Sequence, residues 1–200
     1  MTTPSRDDAG IVVPLRSFTM AKARLSGVLS ETQRESLVRS MAERVVHAAA
    51  FRPLAIVSSA PEVVAFARDR GCEVLADPGS LDAAAAAGRA WAVNKGLARY
   101  AVVHADLPLV RSFDAILTDG DASIAVIVPD HRDDGTPALS LPAAAPFEFA
   151  YGPGSAARHT DEARRVGLGV RVLRDAQLGF DVDVADDLAA LETRRRVDAG

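Results

Sequence analysis

Three aspartates are placed where a chain can hold a hard divalent cation. Asp106 follows the apolar run Val102-Val103-His104-Ala105 and precedes Leu107-Pro108-Leu109, so its carboxylate stands at the exit of a buried strand. Asp181 and Asp183 form a D-x-D in Gly179-Phe180-Asp181-Val182-Asp183-Val184-Ala185-Asp186-Asp187-Leu188, just ahead of a helix. In extended chain the side chains of alternate residues share a face, so both carboxylates can reach one site. Oxygen ligands of this kind suit magnesium, which takes few protein carboxylates and completes its shell with water and phosphate. A structural alternative makes Asp183 a helix N-cap and Asp186 and Asp187 favourable charges in the first turn. We assign Asp186 and Asp187 to that role and retain Asp106, Asp181 and Asp183 as candidate metal ligands.

Two further stretches fit phosphate chemistry. Arg16, Lys22 and Arg24 lie within Val13-Pro14-Leu15-Arg16-Ser17-Phe18-Thr19-Met20-Ala21-Lys22-Ala23-Arg24-Leu25. Arginine can grip a phosphate through two N–H groups and lysine as a point charge, so the three can neutralise a polyphosphate; a solvated basic loop would look the same. The glycines of a Walker loop are missing. Tyr151-Gly152-Pro153-Gly154-Ser155, followed by Arg158 and His159, offers close backbone approach and the N–H groups of a helix start, which suit a carboxylate or phosphate. An ordinary capped loop has the same appearance. His159, one turn into that helix, reads as a structural hydrogen-bonding group rather than a base. Asp133-Asp134-Gly135-Thr136 is a turn whose threonine hydroxyl could meet a ligand oxygen. No G-x-S-x-G, H-E-x-x-H or Cys/His pair is present, and in-line phosphoryl or nucleotidyl transfer needs no protein nucleophile.

These residues must be positioned by an alternation of strands and helices. Residues 11–15, 54–57, 73–75, 100–104, 124–128, 138–141 and 170–173 read as strands. Ser30-Glu31-Thr32-Gln33 is a capping box opening a helix to about residue 50. Ser59-Ala60-Pro61-Glu62 is expected to cap a second helix that ends at Gly71, with proline early where its missing N–H does no harm. Asp77-Pro78-Gly79-Ser80 is a turn, and a third helix follows over 81–96. Residues 113–118 are expected to form a short helix, 155–166 and 185–196 longer ones. Strands alternating with helices imply an α/β fold, a single-domain mixed, mostly parallel sheet flanked by helices, with ligands beyond the carboxyl ends of the strands. Arg16, Asp77, Asp106 and Asp130 all fall near such ends. A flexible tail over 1–10 and one domain over 11–196 are expected.

Bulk properties narrow the classes. The chain has 200 residues, 48% hydrophobic and 25% charged, with a net charge of −4 that gives no reason to expect nucleic acid as partner. One cysteine, Cys72, can form neither an internal disulfide nor a thiolate cage, which fits a reducing cytoplasm, and it reads as a packed hydrophobe. The first ten residues lack the apolar core of a signal peptide, and no apolar run approaches the roughly 20 residues of a membrane span.

In order and spacing, VPLRSFTMAKARL, ADPGSLDAA, VVHADLPL, PDHRDDGTPAL, FAYGPGSAARH and GFDVDVADDL resemble the guanylyltransferases of coenzyme F420 biosynthesis, which act on phosphoenolpyruvate or 2-phospho-L-lactate. The resemblance implies a nucleotidyltransferase fold similar to the GT-A glycosyltransferases, Rossmann-like in layout. It implies transfer of GMP from GTP to a three-carbon phosphorylated acid with release of pyrophosphate. By the resemblance, Pro14, Arg16, Lys22 and Arg24 hold the GTP phosphates, and Asp77, Ser80, Leu81 and Asp82 lie near the guanosine. Lys22, Arg24 and Asp106 form the catalytic set, Asp106, Asp181 and Asp183 bind magnesium, and Thr136, Gly152 and Ser155 bind the acceptor. The expected partners are these small molecules, with no nucleic acid and no membrane; a homodimer is compatible with the chain. The sequence departs from the family pattern with Arg16 where lysine is usual, Leu81-Asp82 where Leu-Asn is usual, and Pro137 after Gly135-Thr136 where asparagine is common. The rival readings are a related nucleotidyltransferase with another acceptor or base, and a non-catalytic nucleotide-binding domain. The first usually carries a glycine-rich loop where this chain has Pro14-Leu15-Arg16-Ser17.

Overall fold

The computed structural model describes residues 8–19, 22–49, 51–117 and 123–198. Its strands are β1 (Ala9–Pro14), β2 (Leu54–Val57), β3 (Glu73–Leu75), β4 (Arg99–Val103), β5 (Ile124–Val128), β6 (Ala138–Pro142) and β7 (Gly169–Val172). The helices are α1 (Glu31–Ala49), α2 (Pro61–Asp69), α3 (Leu81–Asn94), α4 (Asp114–Leu117), α5 (Ser155–Arg165) and α6 (Ala185–Asp198). Residues 1–7 of the expected tail, residue 50 at the expected end of the first helix and residue 118 of the short helix lie outside the described residues. Ala9 and Gly10, expected in the tail, belong to β1. None of the described helices is long and apolar enough to cross a membrane.

The strands form one mixed sheet in the order β3-β2-β1-β4-β6-β5-β7. Pairing is parallel from β3 through β4 and between β5 and β7; β6 runs antiparallel to both β4 and β5. Both faces are covered, so the central strands read as unbroken apolar runs whose alternate residues serve different cores. On β1, Ile11 and Val13 pack with α1, α2, α4 and α6, while Val12 packs with α3 and α5. Tyr100 and Val102 of β4 join Val12; Ala101 and Val103 face the other way.

One helix approaches the sheet very closely. A Cβ on Gly88 of α3 would lie 2.4 Å from Val12 Cγ1. Alanine is the better helix former by about 1 kcal/mol. The clash outweighs that gain, because an overpacked core costs about 1–3 kcal/mol. Gly88→Ala is therefore expected to lower the urea midpoint, and an unchanged or raised midpoint would show that the α3–β1 contact is looser than described.

Element ends explain how the site is reached. The capping box at Ser30 forms in both directions, with Ser30 N donating to Gln33 Oε1 at 2.8 Å and Gln33 N to Ser30 Oγ at 3.3 Å. The expected cap at Ser59 does not form. Ala60 occupies the N-cap of α2 without a side-chain bond, and Ser59 Oγ instead accepts from Asp77 N at 3.0 Å. Ser59 thus ties the end of β2 to the turn after β3. The third helix stops at Asn94, short of Gly96, whose φ of 71° turns the chain into β4.

Candidate functional site

The order of strands reverses between β1 and β4, where the chain goes to β2 and β3 on one side and β4, β6, β5 and β7 on the other. Such a switch point opens a crevice beyond the carboxyl ends of the strands. A cavity of about 650 Å³ occupies it, lined by Pro14, Arg16, Lys22, Arg24, Leu81, His104, Asp106 and Asp183. Of the other sequence candidates, Asp77, Ser80, Asp82, Asp181, Thr136, Gly152 and Ser155 stand around this cavity's lining rather than in it.

Lys22 is the centre of the crevice. Its backbone is left-handed, φ 58° and ψ 41°, at the start of a 3-10 turn over Ala23–Leu25. That conformation costs an L-residue about 1 kcal/mol or more and persists only where the surroundings enforce it. Here the side chain is enforced from its far end: Nζ donates to Asp106 Oδ2 at 2.5 Å and to Asp183 Oδ1 at 2.6 Å. Burial alone would push the lysine toward neutrality, but the two carboxylates outweigh it and raise its pKa above the ordinary value. Burial likewise presses Asp106 toward protonation, and the attraction of Lys22 and His104 reverses this, so Asp106 stays ionised.

Asp106, Asp181 and Asp183 each present an oxygen within 4.8 Å of the others. Asp106 Oδ1 and Asp181 Oδ1 are buried and accept no hydrogen bond. Burial and the neighbouring Asp106 and Asp183 charges raise the Asp181 pKa to about 6. Three hard oxygen donors, two with unused lone pairs, fit a magnesium ion. With Lys22 counted, the group carries two surplus negative charges, which one divalent cation would cancel.

Arg16 and Arg24 behave differently from Lys22. Arg16 Nε pairs with Asp77 Oδ2 at 3.1 Å and its Nη2 donates to Gly79 O, so Arg16 holds the 77–80 turn. Its side chain is 63% exposed, which leaves the pair solvated. Arg24 is exposed at the cavity wall. Ser80 caps α3 by accepting from Ala83 N at 3.1 Å. Asp82 Oδ1 accepts from Tyr151 N at 2.7 Å, joining the start of α3 to the 151–154 loop. Asp130, which also follows a strand, accepts from the N–H groups of Arg132, Asp134 and Gly135 and so folds its own loop.

The 151–155 segment corrects one expectation. The N–H groups predicted to receive an anion are already used: Gly154 N donates to Asp134 Oδ1 at 2.7 Å, Ser155 N to Gly152 O at 3.0 Å and Ala156 N to Asp134 O at 3.1 Å. Arg158, rather than facing a ligand, clasps the carbonyls of Ala150, Tyr151 and Pro153. What remains is a buried hydroxyl pair, Thr136 Oγ1 and Ser155 Oγ, 2.9 Å apart.

Four residues beside the site were not singled out by pattern. His104 lines the cavity with a buried Nε2 that has no hydrogen-bond partner. Asp187 does serve the helix start, accepting from Val184 N at 3.0 Å. It also accepts from Asp183 N at 2.8 Å and Arg132 Nη2 at 2.6 Å. It therefore pins the D-x-D segment to the loop after β5. His131 stands between Asp181 and Asp187, 3.4 and 3.2 Å from their carboxylates. Tyr151 packs edge-on to His159 at 4.7 Å between centroids. Their partners are distant in sequence, and only the acid three residues into a helix (Asp187, the return arm of a capping box) left a local signal.

Comparison with known proteins agrees with this geometry. Residues 9–193 match the family model described as guanylyl transferase CofC like. The phosphoenolpyruvate guanylyltransferase of Rubrobacter xylanophilus is 39% identical over 188 residues, 90% of this chain and 92% of that protein. The 2-phospho-L-lactate guanylyltransferase of Methanothermobacter thermautotrophicus is 30% identical over 184 residues, 90% of this chain and 82% of that one. Among solved structures, a protein described as a nucleotide-diphospho-sugar transferase from Desulfovibrio desulfuricans G20 superposes with a TM-score of 0.77 at 20% identity, covering 92% of this chain and 86% of that one. A Methanothermobacter nucleotidyl transferase superposes at 0.64 with 14% identity, covering 93% and 96%. These two show the fold, a mixed sheet of the nucleotide-diphospho-sugar transferase kind. The chain belongs to the CofC-like guanylyl transferase family.

Proposed function

We propose that this chain transfers GMP from GTP to the phosphate of a three-carbon acid, phosphoenolpyruvate or 2-phospho-L-lactate, in the cytoplasmic biosynthesis of coenzyme F420. Family membership and the names of the relatives support the reaction class. The observation that carries the site is Lys22 held between Asp106 and Asp183 at the switch point of the sheet. An acceptor phosphate oxygen attacks the α-phosphorus of GTP, a new P–O bond forms, and the bond to the β-phosphate oxygen breaks in line. Pyrophosphate leaves, so the protein needs no covalent nucleophile. Arg16, Lys22 and Arg24 offset charge on the triphosphate, with Lys22 the most desolvated of the three and hence the strongest in effect. Magnesium, held by Asp106, Asp181 and Asp183, would supply charge neutralisation at the phosphoryl oxygens. The product carries two unlike phosphorus atoms joined through oxygen, which phosphorus NMR resolves as a coupled pair. A product without that coupling would refute the acceptor assignment.

The metal assignment has its own pH signature. Asp181 holds its proton to about 6, so a cation binding at pH near 5 must displace that proton, whereas at pH near 8 it meets a carboxylate. Magnesium is expected to raise the melting temperature more at the higher pH. An equal shift at both would place the ion away from Asp181.

A further inference from the structure

The protons in the Thr136–Ser155–His159 cluster can be counted. His159 is fully buried, and its Nε2 lies 3.1 Å from the backbone nitrogen of Ala150, which donates to it. A nitrogen that accepts carries no proton, so the hydrogen of the neutral ring sits on Nδ1. Nδ1 is 3.1 Å from Thr136 Oγ1, which is 2.9 Å from Ser155 Oγ. Three donors (the ring N–H and two hydroxyls) thus meet across two contacts, and whichever hydroxyl donates to the other, one hydroxyl proton has no acceptor. With the opposite tautomer, Ser155 would donate to Thr136 and Thr136 to the ring, and nothing would be left over. Burial holds His159 neutral, with its pKa lowered to about 4.

A hydroxyl donor left without a partner at 1% exposure costs stability unless something else accepts from it. We propose that His159 is a positioning residue: fixed in one tautomer by Ala150 N–H, it keeps the Thr136–Ser155 pair supplied with a hydroxyl proton to donate to an anionic oxygen of the acceptor. This rests on the reading of Thr136 and Ser155 as acceptor-binding. The two glycines flanking Pro153, both at positive φ, shape the loop that covers the pair. The ring does not exchange protons with substrate, so the role differs from that of a general base.

The test measures KM for phosphoenolpyruvate and for GTP separately in the wild type, Ser155→Ala, His159→Phe and His159→Asn. Phenylalanine removes the ring donor and acceptor while keeping the bulk. Asparagine can still place an amide N–H near Thr136. Losing a hydrogen bond to a charged group is worth about tenfold or more in binding. Ser155→Ala and His159→Phe are expected to raise the acceptor KM by that factor, with the GTP KM unchanged and His159→Asn recovering most of the loss. A purely structural His159 would lower the melting temperature without separating the two KM values, which overturns the proposal. If His159→Phe and His159→Asn raise the acceptor KM equally, the donor role is likewise overturned. If Ser155→Ala leaves the acceptor KM unchanged, it is the assignment of the acceptor site that fails. If the phenylalanine variant does not fold, the asparagine variant and Thr136→Val against Thr136→Ser decide: serine should retain binding and valine lose it, and equal loss overturns the proposal.

Discussion

Asparagine at position 106 is expected to reduce pyrophosphate release by at least about a thousandfold, the scale of removing one group from a charge-stabilising site. Asp106 is the shared partner of the crevice. One oxygen takes the Lys22 ammonium at 2.5 Å and the other is buried without a hydrogen bond. The Asp106→Asn substitution would keep the volume but replace an anionic oxygen by an amide, turning a ligand into a donor. The fold should survive, because Asp183 still holds Lys22 at 2.6 Å. A second readout is independent of activity. The Asp106 charge is among the causes of the high Asp181 pKa of about 6, so Asp106→Asn should bring Asp181 down, as carboxyl carbon NMR would show. Normal turnover by a folded Asp106→Asn protein would contradict the metal assignment; an unmoved Asp181 would contradict the described cluster.

Lys22→Met is expected to show the second largest effect, a fall in turnover of about a hundredfold to a thousandfold. It is also expected to show a stability loss that depends on pH. Without the ammonium, three carboxylates gather with no counter-charge, and breaking a buried pair costs about 3–5 kcal/mol. The sign follows from Asp106. Lys22 holds its pKa down in the wild type, giving stability that is present above the unfolded pKa and lost as pH falls. In Lys22→Met that pKa rises, so stability is kept at low pH and lost as pH rises through the new value. The gap between variant and wild type should therefore be small near pH 4 and wide near pH 8, and added magnesium should narrow it. Urea unfolding at the two pH values reads this directly. A gap that does not change with pH would mean that Lys22 is not the counter-ion of these aspartates.

Much of the sheet was legible because its signals are local. Leu54–Val57, Glu73–Leu75 and Ile124–Val128 are bounded by turn residues within a position or two, and their apolar runs admit no other period. The antiparallel direction of β6 was not legible, since Ala138–Pro142 is apolar throughout and such a run fits either direction of pairing. Ser30 and Ser59 both precede helices, yet only Ser30 caps one. The competitor for Ser59 is the Asp77 backbone, which the sequence places eighteen residues away and the fold brings to 3.0 Å.

The same division runs through the site. Asp106, Asp181 and Asp183 could be grouped from strand ends and a D-x-D, and they converge. The bridging of Lys22 between two of them could not, because charge in a loop does not say which anion it meets. The helix start at Ser155 was misread in one respect, for Asp134 takes the N–H groups that an anion would need. His159 carried no pattern at all; its part emerges only from three hydrogen-bond distances.

The most direct measurement is pyrophosphate release by the purified protein with magnesium, GTP and phosphoenolpyruvate or 2-phospho-L-lactate, against ATP and CTP and against a sugar phosphate as acceptor. Release that requires both GTP and the three-carbon acid is the predicted result. Release with a sugar phosphate alone, a preference for ATP or CTP, or GTP binding without release under any acceptor would contradict the account.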